Sequence, residues 1–508
     1  MSATAPSKPN TVVTAPSSGG LLKAESFRHY VDAFNATDDE RTINLVPNAK
    51  AWDWMRQNVP LFECPDAGLQ EVYYYRWWTY RKHIKESPAG LVLTEFILPV
   101  SHGGTYQTIS CATGHHIAEG RWLRDQQLIN EYTRFWFRGN DGKPDPKFHK
   151  YSSWVAHAIL ERAGVNGDYA FATDLLDELV RDYAQWENEK LLSNGLFWQF
   201  DVRDGMEESI SGSRKSKNPR PTINSYMYAN AVAIADIAQR AGAESVVNTF
   251  REKAVRIKKL TLDRLWDRDA KFFKVMFEDG SLSSAREAIG FIPWIFRLPE
   301  AGRGYEEAWK QLVDPEGFWA PFGITTAERR HPSFRSHGVG HCEWDGACWP
   351  FATSQTFDAL ANVLRHYDQP HVTRARYLEA LRVYTKAHHK NGKLYLGEYH
   401  DEVTGEWLKG DNPRSEYYNH STFCDLVIAG LVGVRPRGDE AIEVDPLVPA
   451  EAWDWFCLDD LLYHGRHVTV VWDKTGAKYN RGAGLSVFVG DQRVAHAPTL
   501  TRVTGPLA

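Results

Sequence analysis

SYMYANAVAIADIAQRAG, residues 225 to 242, runs straight into AESVVNTFREKAVRIKKLTLDRLW, residues 243 to 266. In both halves apolar residues recur at spacings of three and four, the period of a helix that buries one stripe. Gly242 stands between them, where a helix end is expected. The two halves predict a helical hairpin. The same spacing returns in EVYYYRWWTYRKHIKES (71–87), YAFATDLLDELVRDYAQWENEK (169–190), SQTFDALANVLRHY (354–367) and VTRARYLEALRVYTKAHHK (372–390). Gly164 and Gly392 mark two further expected helix ends. The paired helices share no fixed repeat length, which excludes a TPR-like solenoid.

Helix hairpins in this number close most naturally into an α/α toroid, whose inner helices ring a funnel-shaped mouth. Loops at such a mouth carry chemistry because the scaffold holds them in place. After about residue 435 the pattern changes. HVTVVWD (467–473), KYNRGAGLSVFVGD (478–491) and QRVAHAPTLTRV (492–503) alternate apolar and polar residues and are broken by Gly and Asp, as short strands are. The expected organisation is a disordered arm over 1–20, an irregular N-terminal wrap over 21–64, a mainly α toroid over 65–434 and a small β-rich unit over 435–508.

Composition narrows the function. The chain has 508 residues, 43% of them hydrophobic, and a net charge of −6. That balance gives no basic face for nucleic acid or for an anionic membrane. No apolar run approaches the roughly 20 residues that span a bilayer. MSATAPSKPNTVVTAPSSGG, residues 1–20, lacks the apolar centre of a signal peptide. The six cysteines are scattered without a C-x-x-C pair, which fits reduced thiols and a cytoplasmic protein, or a secreted one whose leader was removed. The aromatic count is high, with 19 Trp, 22 Tyr and 24 Phe. Many of these form core, and the surplus suits carbohydrate, because flat rings cover the C–H faces of a sugar. The oligomeric state is left open.

Four stretches carry candidate chemistry. DGMEESISG (204–212) places Asp204, Glu207 and Glu208 within five positions, just after Phe197, Trp198 and Phe200. Partial burial beside aromatics raises a carboxyl pKa, as a general acid working near neutrality requires. Asn224 or Ser225 is the expected cap of the helix that follows. Downstream, LYLGEYHDEVTGEWLKGDNPRSEYYNHSTFCDLVIAGLVGV (394–434) offers Glu398 after an apolar tetrapeptide, with Asp401, Glu402, Glu406 and Asp411 as competitors. Spacing does not choose among them. Asn419 or Ser421 is the expected cap of the apolar helix beginning there. FGITTAERRHPSFRSHGVGHCEWDGACWPFATSQTF (322–357) combines His, Cys and Trp, but Cys342 and Cys348 with one adjacent His match no common zinc spacing, so neither metal nor cofactor is expected. Trp344 and Trp349 divide evenly between sugar platforms and core. TYQTISCATGHHIAEGRWLRD (105–125) packs His115, His116, Glu119 and Arg121 together, groups that suit a hydroxyl-rich ligand or local hydrogen bonding alike.

Taken together these stretches resemble the six-hairpin (α/α)6 glycosidases, the clan of mannosylglycerate hydrolase, trehalase and the family 63 α-glucosidases. WDGACWPFATSQT (344–356) resembles the clan's W-R-G-P-x-W-x-x-x-N segment, with Asp345 in place of Arg and Ala347 in place of Pro. GEYHDEVTG (397–405) followed by YYNHSTF (417–423) resembles E-x-Y-x-P-x-T-G followed by F-x-W-S-A-A, and implies Glu398 as general base. DGMEES resembles S-G-M-D-N-S and puts Glu207 at the acid position, with Asp204 as rival. A closer likeness, in YRWWTYRKHI (75–84), CATGHHIAEGRWLRD (111–125), DGMEESISG and RPTINSYMYA (220–229), is to a group associated with glycoside hydrolases including family 142, the β-L-arabinofuranosidases.

The resemblance implies an exo-acting, inverting hydrolase that acts on an arabinofuranoside or a gluco-configured glycoside. Trp78, Trp344 and Trp349 would offer stacking surface. His115, His116, Glu119, Arg121, Asp345, Tyr399 and His420 would contact hydroxyls. The rivals are a toroidal polysaccharide lyase, for which RHPSFRSHGVGH (330–341) supplies cations; an epimerase, disfavoured because His115 and His116 diverge on one helix; and a carbohydrate-binding toroid without turnover.

Overall fold

The computed structural model of the protein describes residues 20–336 and 341–507. The arm expected over 1–20 lies almost wholly outside them.

Six inner elements form the ring: the helices Thr113–Gly120, Val155–Asn166 and Pro221–Arg240, the 3-10 segment Ala288–Trp294, the helix Pro350–His366 and the π-helical turn Leu426–Val432. Each packs on its neighbours in that order. The ring closes through Glu119 and Arg121 at one end of the chain and residues 423–425 at the other. Outer helices alternate with the inner ones: Ala67–Lys82, Gln127–Arg138, Leu176–Lys190, Glu244–Arg264, Lys310–Val313 and Arg374–Ala387. The architecture is the mainly α, (α/α)6 toroid expected from the hairpins, with a small C-terminal β-unit. Among the described residues no helix is long and apolar enough to cross a membrane.

The opening hairpin forms as read, and Gly242 takes a left-handed conformation at φ 70° just past Arg240. Its start differs. Pro221 occupies the first helical turn, where its fixed φ fits and its missing N–H costs nothing. Asn224 therefore lies inside the helix and does not cap it. Its side chain accepts from the Phe197 N–H at 2.9 Å and donates to the Phe197 carbonyl at 2.7 Å, which pins the start of the acid loop. Gly164 is also not an end. It is buried within Val155–Asn166, where a Cβ would stand 3.0 Å from Pro436, and the helix stops at Gly167 (φ 75°). Gly392 and Asn391, both at positive φ, make the tight turn of a hairpin between His389–Lys390 and Lys393–Leu394.

The stretch 21–64 is more regular than its sequence suggests. It holds the helices Arg28–Thr37 and Ala51–Asn58 and a strand, Leu61–Glu63. Helices of ten and eight residues are too short to persist by propensity; tertiary packing holds them, through Val31 and Phe34 in the first and Trp52 and Met55 in the second. Leu61–Glu63 pairs antiparallel with Trp455–Tyr463 and becomes the edge of the C-terminal sheet, which continues through Arg466–Asp473, Gly484–Val489 and Gln492–Ala497. A second sheet joins Val434–Arg435, Ala441–Val444 and Val503–Pro506.

Candidate active site

The acid loop follows the helix Leu176–Lys190. One helical turn, Asp201–Asp204, ends at Gly205 in the left-handed region (φ 72°), and Met206 is buried beneath the turn. This reversal separates the two acids that the sequence left as rivals. Asp204 is 2% exposed and accepts from Arg220 Nε at 2.6 Å, from Ser152 Oγ at 2.7 Å and from the Thr222 hydroxyl. It ties the loop to the next helix and is not in the wall of the cavity that Glu207 lines. Glu207 lies beyond the turn, in the wall of a cavity of about 440 Å³. Burial, helped by the charges of Asp201 and Glu398, pushes its pKa up to about 7.

Glu398 lines the same cavity. It is buried, and its carboxylate accepts from Lys409 Nζ at 3.0 Å and Ser415 Oγ at 2.9 Å, with the Arg414 guanidinium 3.6 Å away. Burial lowers the Lys409 pKa, but Glu398 and Cys342 outweigh it and hold the ammonium above its ordinary value. Two cations thus face Glu398. Among the described residues no cation lies within ion-pair distance of Glu207.

A third carboxyl, Glu95, faces the same space and was passed over in the sequence. It is fully buried, accepts from the Tyr418 hydroxyl and from Cys111 Sγ at 3.3 Å, and burial raises its pKa to about 8. The signal that marks it is a lone acid inside an apolar run, LVLTEFILPV (91–100). Such a group is not buried without partners or a task.

The other expected contacts divide. His420 lines the cavity, and burial keeps its imidazole neutral; neither ring nitrogen reaches a hydrogen-bond partner among the described residues. Trp349 also lines it, but Trp344 and Tyr399 stack on its two sides with centroids 4.5 Å away, so it presents an edge and no free face. Trp344 and Tyr399 belong to that stack and are buried, and the Tyr399 hydroxyl donates to the His341 carbonyl. Asp345 is buried in the loop behind them.

The 113–121 cluster is architectural. Glu119 accepts the N–H groups of Phe423, Cys424 and Asp425 at 3.1, 2.9 and 2.8 Å. That helix start is thus capped from another segment, and neither Asn419 nor Ser421 does it. Arg121 pairs with Asp425 at 2.7 Å. His116 bonds the Tyr132 hydroxyl at 2.9 Å and the Asn419 carbonyl at 2.7 Å. His115 points elsewhere, edge-on to Trp154 and Phe351 one layer behind the cavity wall. Trp78 is not in the wall of this cavity; it lies in the helix Ala67–Lys82, with its Nε1 donating to Asn35 at 2.8 Å.

These contacts carry a stability prediction. Asp204→Asn breaks a buried charge pair with Arg220 and is expected to cost about 3 kcal/mol. A urea titration of the variant and the parent checks it. An unchanged midpoint would remove the structural role assigned to Asp204.

The family model described as "Mannosylglycerate hydrolase MGH1-like glycoside hydrolase domain" matches residues 105–421, and the C-terminal domain of glycosyl hydrolase family 65 matches 434–496. A solved chain named "Sialidase" is 51% identical with a TM-score of 0.94; the match covers 95% of this chain and 45% of that one. This chain therefore spans less than half of that relative. Mannosylglycerate hydrolase of family GH63 from Thermus thermophilus, in complex with glucose, is 13% identical with a TM-score of 0.50, over 70% of this chain and 99% of that one. The GH78 rhamnosidase of Bacillus sp. GL1 is 12% identical with a TM-score of 0.58, over 82% and 40%. The last two share the fold. With well over half of its 508 residues matched by the first model, the chain belongs to the MGH1-like glycoside hydrolase domain family.

Proposed function

We propose that the chain is an exo-acting glycoside hydrolase that inverts the anomeric centre, with Glu207 as general acid and Glu398 as general base. The observation that carries this is the presence of both side chains in the wall of one cavity, in opposite electrostatic settings. Lys409 and Arg414 supply the counter-charge of a carboxylate at Glu398. Burial favours a held proton at Glu207. In inverting enzymes such a pair stands roughly 6.5–9.5 Å apart, leaving room for the attacking water. Glu207 protonates the leaving oxygen while Glu398 takes a proton from that water, which attacks the anomeric carbon from the opposite face. Glu95 and His420 are placed to hydrogen-bond sugar hydroxyls.

Membership of a glycoside hydrolase family supports this reading over a lyase, an epimerase or a binding toroid. The name "Sialidase" belongs to a chain more than twice as long as the matched part. The test is a panel of aryl glycosides, including β-L-arabinofuranoside, α-D-glucoside, α-D-mannoside and α-sialoside, with proton NMR of the first anomer released. Release of the inverted anomer is expected. A retained anomer would exclude the mechanism, and turnover of the sialoside alone would replace the substrate class.

Glu95 also gives a pH signature. Its pKa, about 8 in the folded chain, lies above the ordinary carboxyl value, so the folded state binds the extra proton. Folding stability then falls as pH rises from about 4.5 to about 8, by an amount on the order of a few kcal/mol. Glu95→Gln should flatten that fall, and melting curves across the range measure it. An identical slope in parent and variant would mean that Glu95 is ionised in the native state.

A further inference from the structure

The segment 409–417 borders two cavities. Lys409, Arg414 and Ser415 turn toward Glu398. Residues 410–413, Glu416 and Tyr417 line a second cavity of about 460 Å³, walled also by the helix Ala67–Lys82, the loop after Arg28–Thr37 and the hairpin carrying Tyr395. A space of that size is in the range of small-ligand sites and about fifteen times the share of one water molecule.

Three polar groups from three separate segments meet there without partners. Tyr75 and Tyr395, 2% and 7% exposed, both line the cavity, and their hydroxyls are buried with no hydrogen-bond partner among the described residues. Glu416, partly buried, makes no side-chain hydrogen bond or ion pair among the described residues. The three are neighbours: after burial itself, the Glu416 charge is the largest influence raising the pKa of either phenol. The remaining charges are mostly spent, Lys82 on Asp38, Arg41 on Asp39 and Lys390 on Asp411. What is left is two phenols, one carboxylate and the ammonium of Lys393, a set without net charge.

We propose that this groove is a second saccharide site, which takes a neutral, hydroxyl-rich sugar unit on Tyr75, Tyr395 and Glu416. Glu416 accepts from two ligand hydroxyls, and the phenols donate to ligand oxygens after a small side-chain movement that brings their buried hydroxyls into the groove. The choice of a saccharide rests on the glycosidase reading; the existence of the site does not. An occupant would press on the back of the segment that holds Glu398, so the two cavities share one structural element.

The test is calorimetric titration of the Glu207→Gln chain with maltotetraose, cellotetraose and α-1,5-arabinotetraose in turn. At least one tetrasaccharide is expected to show a binding component that Glu416→Gln weakens tenfold or more and that Tyr75→Phe weakens independently. Both substitutions keep the shape of the side chain, and a melting curve of each shows that it is folded; if one unfolds, Tyr395→Phe replaces it. The proposal is overturned if all three sugars are silent, or if binding is the same with and without the groove substitutions. Turnover plays no part in the titration. A groove component in a chain that cleaves no glycoside would sink the catalytic reading alone, whereas cleavage without a groove component would sink this one alone.

Discussion

Replacing Glu398 by Gln is expected to lower kcat by about 10³-fold while the melting temperature moves by only a few degrees. The amide keeps the shape of the side chain and can still accept from Ser415, which sits 2.9 Å from the carboxylate in the parent. It cannot take the proton of the attacking water. Lys409 and Arg414 lose their counter-charge, but Arg414, with 34% of its side chain exposed, can turn toward solvent, and Lys409 keeps its contact with Cys342 Sγ at 3.4 Å. The structural cost is therefore modest, and in a chain of 508 residues a given loss of stability shifts the melting temperature little. Initial rates on whichever glycoside the panel identifies, paired with a melting curve, separate the two effects. Activity within threefold of the parent would remove Glu398 from the mechanism and return the choice to the other acids of 394–411.

Glu207→Gln is expected to be as damaging, but selectively. A general acid matters in proportion to how poorly the leaving oxygen departs without a proton. With an alkyl or sugar leaving group the loss should be about 10³-fold. With a dinitrophenyl leaving group, which departs as a stable anion, it should be within about tenfold. The pH profile supplies an independent reading. The carboxyl titrates at about 7 in the folded chain, so the parent's kcat/KM should fall as pH rises through that value. That alkaline limb should vanish in the variant with the dinitrophenyl substrate. Equal losses for both leaving groups would make Glu207 a positioning residue. Glu95, also protonated near neutrality, would then be the acid to test next.

The acid loop shows where sequence stops being enough. Asp204 and Glu207 are three positions apart, in one short motif with Gly205 between them. Gly205 at φ 72° turns the chain there, so one acid meets Arg220 in the interior and the other faces the cavity. A motif records which residues are near each other along the chain and not which way a turn aims them. The aromatics teach the same lesson. Trp344, Trp349 and Tyr399 do form one group, yet they stack on one another and leave no ring face for a sugar. Glu95 escapes a reading of the sequence because only Thr94 beside it is polar; its partners Tyr418 and Cys111 are distant in the chain.

Sequence alone determined the helical hairpins, the switch to strands near residue 435 and the short motifs that hold Glu207 and Glu398, because periodicity and motif are local properties of the chain. Only the tertiary structure decided that Glu119 and Arg121 close the ring, that Leu61–Glu63 joins a sheet formed some 400 residues later, and that three carboxyls share one cavity. Those outcomes depend on burial and on partners far away in sequence, and burial is what turns an ordinary carboxyl into one that keeps its proton at neutral pH.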